Sequence, residues 1–587
     1  MKQFFQQVAA VIVGTMIVSF VSTLFMFVMF IALLSIGSGR TVITDGTVLH
    51  IRLNGVINEQ VEDNSFAQFL GLPEADVQGL DQILASIREA KDNPKVSGIY
   101  IEGGLVVTDL ATLQEIRQAL VDFKSSKKFI VAYGDTYSQG AYYVASVADK
   151  VYVNPSGMID WHGMASQPIF YKETLEKLGV RMQVFRVGKY KSAVEPFTET
   201  SMSPANREQV QAFINDMWGT VCADVSASRK VSVDSLNAYA DSYAAMMDAK
   251  DYVKMKLADG TLYIDQVRDE LRKLSKQDQL TLMSAADMSY AVEESSAESR
   301  VAVYYAYGSI VDVPTGDFAS EHEIVGDKVI ADLDKLANDE NVKAVVLRIN
   351  SGGGSAYASE QMWRAVQQLK AKKPVVVSMG GMAASGGYYL ACGADYIVAE
   401  PTTLTGSIGI FGIVPDASGL LTEKLGLHFD VVKTNAASDF GTAVGRPFTP
   451  EESAAMQAYV ERGYGLFLRR VGDGRKMQVA DVDSIAQGRV WTGQQALELK
   501  LVDAVGSLQD AVAYAAKLAK ITDYGVDKYP APLTFWEQMQ NTYSGEDYLE
   551  SRLRTALGMY YGTLRFATQV GDRPSLQARM LYDPNIR

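Results

Sequence analysis

The strongest constraint on how this chain folds is that it repeats itself. "NPKVSGIYIEGG" (93–104) returns as "NVKAVVLRINSGGG" (341–354), and "SQGAYYVASVADKVYVNP" (138–155) returns as "ASGGYYLACGADYIVAEP" (384–401). In the second match Tyr142 pairs with Tyr388, Asp149 with Asp395 and Pro155 with Pro401, a constant displacement of 246 positions (388 less 142). One hydrophobic core seldom organises 587 residues, so duplication also agrees with length. Two related domains are expected, at about 45–295 and 300–525. They leave an N-terminal segment 1–44 and a C-terminal extension 526–587 of unassigned role.

Within a copy, strands and helices alternate. "KAVVLRIN" (343–350) and "KPVVVSM" (373–379) are β-branched runs of buried-strand length, and "AYASEQMWRAVQQLKAK" (356–372) has helical spacing of its apolar residues. Strand, glycine turn, helix and strand in succession predict an α/β fold with a mostly parallel sheet.

The copies differ where chemistry would sit. Ser385, in "GMAASGGYYLACGAD" (381–395), faces Gln139 in the first copy, with Ser138 one place early. Conversely Lys191, in "VFRVGKYKSAVEPF" (184–197), faces Ser438 in the second. Complementary losses point to one site assembled from both copies.

A serine needs a base before it can attack a carbonyl. The four histidines are His50, His162, His322 and His428, so a Ser-His-Asp triad would have to use one of the two that flank Ser385 at a distance. A lysine is the other option, and it must be neutral. Lowering its pKa from about 10.4 to about 7 or 8 corresponds to roughly 3–5 kcal/mol in favour of the uncharged form. Tyr190, Ala193, Val194 and Phe197 around Lys191 offer an apolar setting for that shift, although Lys189 is an immediate competitor. Gly353 and Gly354, after a strand and before a helix, can aim amides into a concavity, and the amide of Gly386 opens the next helix. Together they suit an oxyanion hole. The "SGGGS" run lacks the Lys-Ser/Thr ending of a phosphate-binding P-loop.

Other classes are excluded or narrowed by composition. A net charge of −14 offers no phosphate-neutralising excess, so nucleic acid is not an expected partner. No histidine stands at metal-ligand spacing, and neither metal nor cofactor is expected. Cys222 and Cys392 could form one bridge or stay as thiols. Val8 to Ile36 is nearly all apolar and long enough to cross a roughly 30 Å hydrocarbon core. An uncleaved single-pass anchor is therefore expected, with charge alone leaving its orientation open.

"YKSAVEPF" (190–197), "AASGGYYLACGAD" (383–395), "TGSIGIFG" (405–412) and "GRVWTGQQALELKLVD" (488–503), in this order, resemble the long, duplicated form of signal peptide peptidase A. The likeness covers roughly residues 45–525. It implies two tandem Clp protease/crotonase-like domains of repeated ββα units behind one transmembrane helix. It further implies a Ser-Lys dyad with Ser385 as nucleophile and Lys191 as general base, and Ser407 orienting the lysine. Gly353 or Gly354 with Gly386 would form the oxyanion hole, although Gly352 stands where the family usually has proline. The implied substrates are signal-peptide remnants and other apolar peptides. The implied assembly is a homotetramer on the inner membrane with its catalytic domains outside the cytoplasm. Two other functions share the fold: a crotonase-type acyl-CoA enzyme, and a non-catalytic membrane scaffold.

Overall fold

The computed structural model describes residues 13–26, 42–61, 77–292, 295–314, 322–441, 445–530 and 577–579. Two sheets form its framework, the first parallel and the second parallel except for its antiparallel edge strand Val490–Thr492. In the first, the neighbours run Val77–Gly79, Thr47–Asn58, Val96–Val107, Phe129–Tyr137, Lys150–Ile159 and Gly260–Thr261, and Leu282–Ser284 also pairs with Thr47–Asn58. In the second they run Val490–Thr492, Leu404–Gly406, Val375–Ala384, Val342–Ser351, Arg300–Tyr307 and Gly525–Tyr529, with Tyr396–Ala399 and Ala504–Val505 branching off. Strands covered on both faces need continuous apolar runs. Val345, Val346, Leu347 and Ile349 supply one and are fully buried. The last strand, Gly525–Tyr529, crosses the boundary expected at 525 because it pairs in parallel with Arg300–Tyr307.

The duplication survives in its bonding. Helices Leu80–Asp92 and Gly326–Asn338 match in length at 13 residues, as do Pro204–Arg229 and Pro450–Arg475 at 26. The long pair begins alike, with Ser203 or Thr449 capping a proline-led first turn, and ends alike at left-handed Lys230 or Lys476. Tyr142 donates to the Leu257 carbonyl and Tyr388 to that of Leu501, both at 2.8 Å. Asp149 accepts the Ile130 amide and Asp395 the Val375 amide, both at 2.9 Å. The sequence-paired tyrosines and aspartates thus do the same work twice. Cys222 and Cys392 are buried free thiols, which settles the alternative left open by the sequence.

The seam between the halves is charged and buried. Arg348 donates to Glu59 at 2.8 Å, to Glu115 at 2.7 Å and to the Ser378 hydroxyl at 2.9 Å, all buried. Nearby Glu400 is buried with no partner for either carboxylate oxygen among the described residues. Burial, with Glu115 close by, pushes its carboxyl well above the usual range.

A third sheet joins the halves. Its order is Glu323–Val325, Ser309–Val311, Gly353–Ser355, Gln577–Arg579, Phe411–Asp416 and Arg181–Arg186, the last strand coming from the first half.

Of the apolar N-terminal stretch, residues 13–26 are described, as a helix. The rest of Val8–Ile36 lies outside the described residues, among which no helix is long and apolar enough to cross a membrane.

Candidate active site

Lys191 reaches the second half because its own strand crosses over. Arg181–Arg186 pairs antiparallel with Phe411–Asp416, with Arg186 opposite Phe411. Gly188, at φ +93°, then turns the chain inward. The following residues Ala193, Val194 and Phe197 pack with Phe411 and Ile413 of the second half. The Lys191 side chain is 1% exposed, whereas its competitor Lys189 lies outside with its ammonium over the Tyr190 ring.

Ser385 sits between strand Val375–Ala384 and helix Gly386–Ala391. Its φ of 56° and ψ of −114° fall outside the regions that non-glycine residues normally occupy. Such a conformation costs on the order of 1–3 kcal/mol and needs its surroundings to hold it. Here the Ser385 amide donates to the Gly406 carbonyl at 2.9 Å, and its own carbonyl accepts the Tyr389 amide at 2.8 Å.

The two side chains meet. Lys191 Nζ lies 2.8 Å from Ser385 Oγ, and 3.0 Å from both the Oγ and the carbonyl oxygen of Ser407. A neutral amine has two N–H donors and one lone pair. Ser407 can take both donors, which leaves the lone pair facing the Ser385 hydroxyl. Burial alone pulls the Lys191 pKa down to about 7.

The glycines divide. Gly386 is the first residue of its helix, where an amide has no intrahelical acceptor. Gly353, expected as an oxyanion donor, instead gives its amide to Ser351 Oγ at 3.1 Å, because φ +93° folds it back on the turn. Gly354 is enclosed, since a Cβ there would lie 2.0 Å from the Ile310 carbonyl oxygen. The free edge of this glycine strand is taken by residues 577–579, antiparallel, with Gly354 opposite Ala578.

Residues 122–278 and 367–522 match the family model described as Peptidase family S49, and residues 319–403 match that of Clp protease. The chain belongs to peptidase family S49. Protease 4 of Salmonella typhi is 38% identical over 478 residues, covering 79% of this chain and 76% of that protein. Protease 4 of Haemophilus influenzae is 36% identical, covering 74% and 72%. The chloroplastic serine protease SPPA of Arabidopsis thaliana is 30% identical, covering 81% and 70%. This S49 peptidase is accordingly a serine protease with a duplicated, Clp protease-like α/β fold.

The S49 chain holds a second, closed version of the same place. At the position of Ser385, Gln139 is buried and spends its amide on the 162–163 backbone, accepting from His162 and Gly163 and donating to the Gly163 carbonyl. Trp161 fills the position of Ser407 and is fully buried. Ser438, opposite Lys191 in the sequence match, is exposed.

Residues that sequence reasoning missed cluster on one turn, 487–490. The Gln487 carbonyl accepts the Tyr190 amide at 3.0 Å, and the Arg489 carbonyl accepts the Ser407 amide at 2.7 Å. Their signal was present in "GRVWTG", but backbone contacts leave no pattern in side-chain chemistry.

Proposed function

We propose that this serine protease is a membrane-anchored endopeptidase that cleaves signal-peptide remnants and other apolar peptides through a Ser385-Lys191 dyad. The observation that carries this reading is the 2.8 Å approach of a fully buried lysine amine to the serine hydroxyl. Ser385 Oγ attacks the scissile carbonyl carbon while its proton passes to Lys191 Nζ. The oxyanion of the tetrahedral intermediate lies toward the Gly386 amide, the Gly353 amide being given to Ser351. Collapse breaks the peptide C–N bond, and the Lys191 ammonium returns the proton to the leaving amine. A water, deprotonated by Lys191, then hydrolyses the acyl-enzyme and restores Ser385. Ser407 orients the amine throughout.

An extended substrate would pair with the glycine strand in place of residues 577–579, which occupy that edge as an antiparallel strand. Anchoring is supported by the helix at 13–26, where Met16, Val18, Phe20, Phe25 and Met26 are each more than 60% exposed. Assembly as a homotetramer is supported by the segment after Gly419–Lys424, where Leu425, Phe429 and Val432 expose apolar surface that further copies would cover. Placement of the catalytic halves outside the cytoplasm, on the inner membrane, follows the family resemblance.

The test is fluorophosphonate labelling and peptide hydrolysis by the full chain. Ser385→Ala and Lys191→Ala should each lose at least about a thousandfold in kcat/KM, and Ser385→Ala should lose the label. Normal turnover by either variant refutes the dyad.

A further inference from the structure

The Lys191 amine is placed from behind by a structure that spans both halves. Gln209, on the helix Pro204–Arg229 of the first half, is 3% exposed. Its Nε2 donates to the Tyr190 carbonyl at 3.1 Å and to Ser192 Oγ at 3.1 Å, the residues on either side of Lys191. A third contact reaches Asn206 Oδ1 at 3.2 Å. Its Oε1 accepts the amide of Val490 in the second half at 3.2 Å. One buried side chain therefore ties the lysine loop to the turn 487–490.

That turn also holds the opposite side of the amine. Gln487 at φ 53° and Gly488 at φ +82° are both left-handed, which aims the Gln487 carbonyl at Tyr190 and the Gly488 amide at the Ile408 carbonyl, 2.8 Å away. Arg489 fixes Ser407 through its carbonyl and is itself held between the Tyr190 and Trp491 rings, 4.7 and 4.3 Å from their centres. A Cβ on Gly488 would lie 2.6 Å from the Cα, Cβ and N of Lys191, so the turn and the lysine backbone are in direct contact.

We infer that Gln209 and the turn 487–490 form a clamp that sets the position of the Lys191 amine relative to Ser385 and Ser407, with Gln209 as its positioning residue. This rests on the dyad reading above. The charged groups around the clamp are Arg186, Glu195, Glu208 and Arg489. Arg186 donates to the Lys191 carbonyl at 3.3 Å; Glu195 is taken up by Ser203 and Asn206, and Glu208 by Arg489. None of them supplies what Gln209 does, a neutral group bonded to both halves at once. Loss of the clamp lets the loop relax and water reach the amine. Its proton is then held more tightly and its distance to Ser385 grows.

The experiment measures kcat and KM against pH, from 5 to 10, for the full chain carrying Gln209→Met, which keeps volume and removes the hydrogen bonds. The expected result is a fall in kcat of about 10- to 100-fold, since ångström-scale misplacement costs that much. KM should change less than about twofold, and the acid limb of kcat/KM should move upward from near 7. Wild-type kcat with an unmoved acid limb overturns the clamp and leaves the dyad standing, because Ser385→Ala and Lys191→Ala test the dyad separately. A fall confined to KM overturns it as well. If Gln209→Met does not fold, Ser192→Ala removes one partner of the clamp and should shift the same limb in the same direction by less; no shift overturns the proposal.

Discussion

Two corresponding segments of this molecule have taken opposite routes. Residues 181–197 leave the first half, pair with Phe411–Asp416 and bury Lys191 under Ser385. Residues 427–441, at the matching place in the second half, stay outside: Val432 is 97% exposed, and Asp439 holds the segment to Lys433 and Arg446 at its base. The same contrast holds for what each segment faces. Where the lysine arrives there is Ser385 with Ser407, and the matching place in the first half is closed by Gln139 and Trp161. Duplication supplied two equivalent places, and the chain retains a hydroxyl in one and an amine loop for one. A single site from two halves is the physical result.

The largest test of that contrast is Lys191→Met. Hydrolysis should disappear, and the protein should become more stable. The sign follows from linkage. The folded-state pKa lies near 7, below that of an exposed lysine, so between about 7 and 10.5 the unfolded chain holds the extra proton and stability rises with pH. Below 7 the penalty for the buried amine is at its full size, on the order of 5 kcal/mol. The gain in Lys191→Met should therefore be greatest near pH 6 and shrink toward pH 10, as read by denaturant midpoints. A variant less stable than the natural chain at pH 6 would show that burying the amine carries no such penalty.

Gly488→Ala is the intermediate case. Its new methyl meets the Lys191 backbone at 2.6 Å, with no flexible side chain to give way, at a φ that favours glycine. A loss of about 100-fold in kcat is expected, with circular dichroism and the elution volume unchanged. Full activity would mean that the turn does not seat the lysine.

Gln139→Ser has the smallest expected effect. It restores a serine to the first half, yet no lysine loop arrives there and Trp161 fills the neighbouring space. Fluorophosphonate should still label one serine per chain, and kcat/KM should stay within about twofold of its original value. A second label would mean that the first half can activate a hydroxyl by itself.

Much of this was legible in the sequence because duplication exposes what each half lacks. Lys191 and Ser385 emerged from complementary absences, and the alternation of strand and helix around "KAVVLRIN" and "KPVVVSM" fixed the parallel sheet. The remainder depends on contacts that carry no side-chain signature. The antiparallel pairing of Arg181–Arg186 with Phe411–Asp416 joins residues far apart in the chain, and both strands read as ordinary short segments. Glycine after a strand suggests an open amide at Gly353, whereas its backbone angle turns that amide onto Ser351. Residues 577–579 beside the glycine strand had no motif to place them.

The dependence of Lys191 on turn 487–490 has a consequence for synthesis. A growing chain that has released the lysine, and even the serine, still lacks the support that seats the amine until residue 490 has left the ribosome. On the dyad reading, fragments arrested earlier are expected to carry both reactive groups and remain inert, so that cutting waits until the second half has been made.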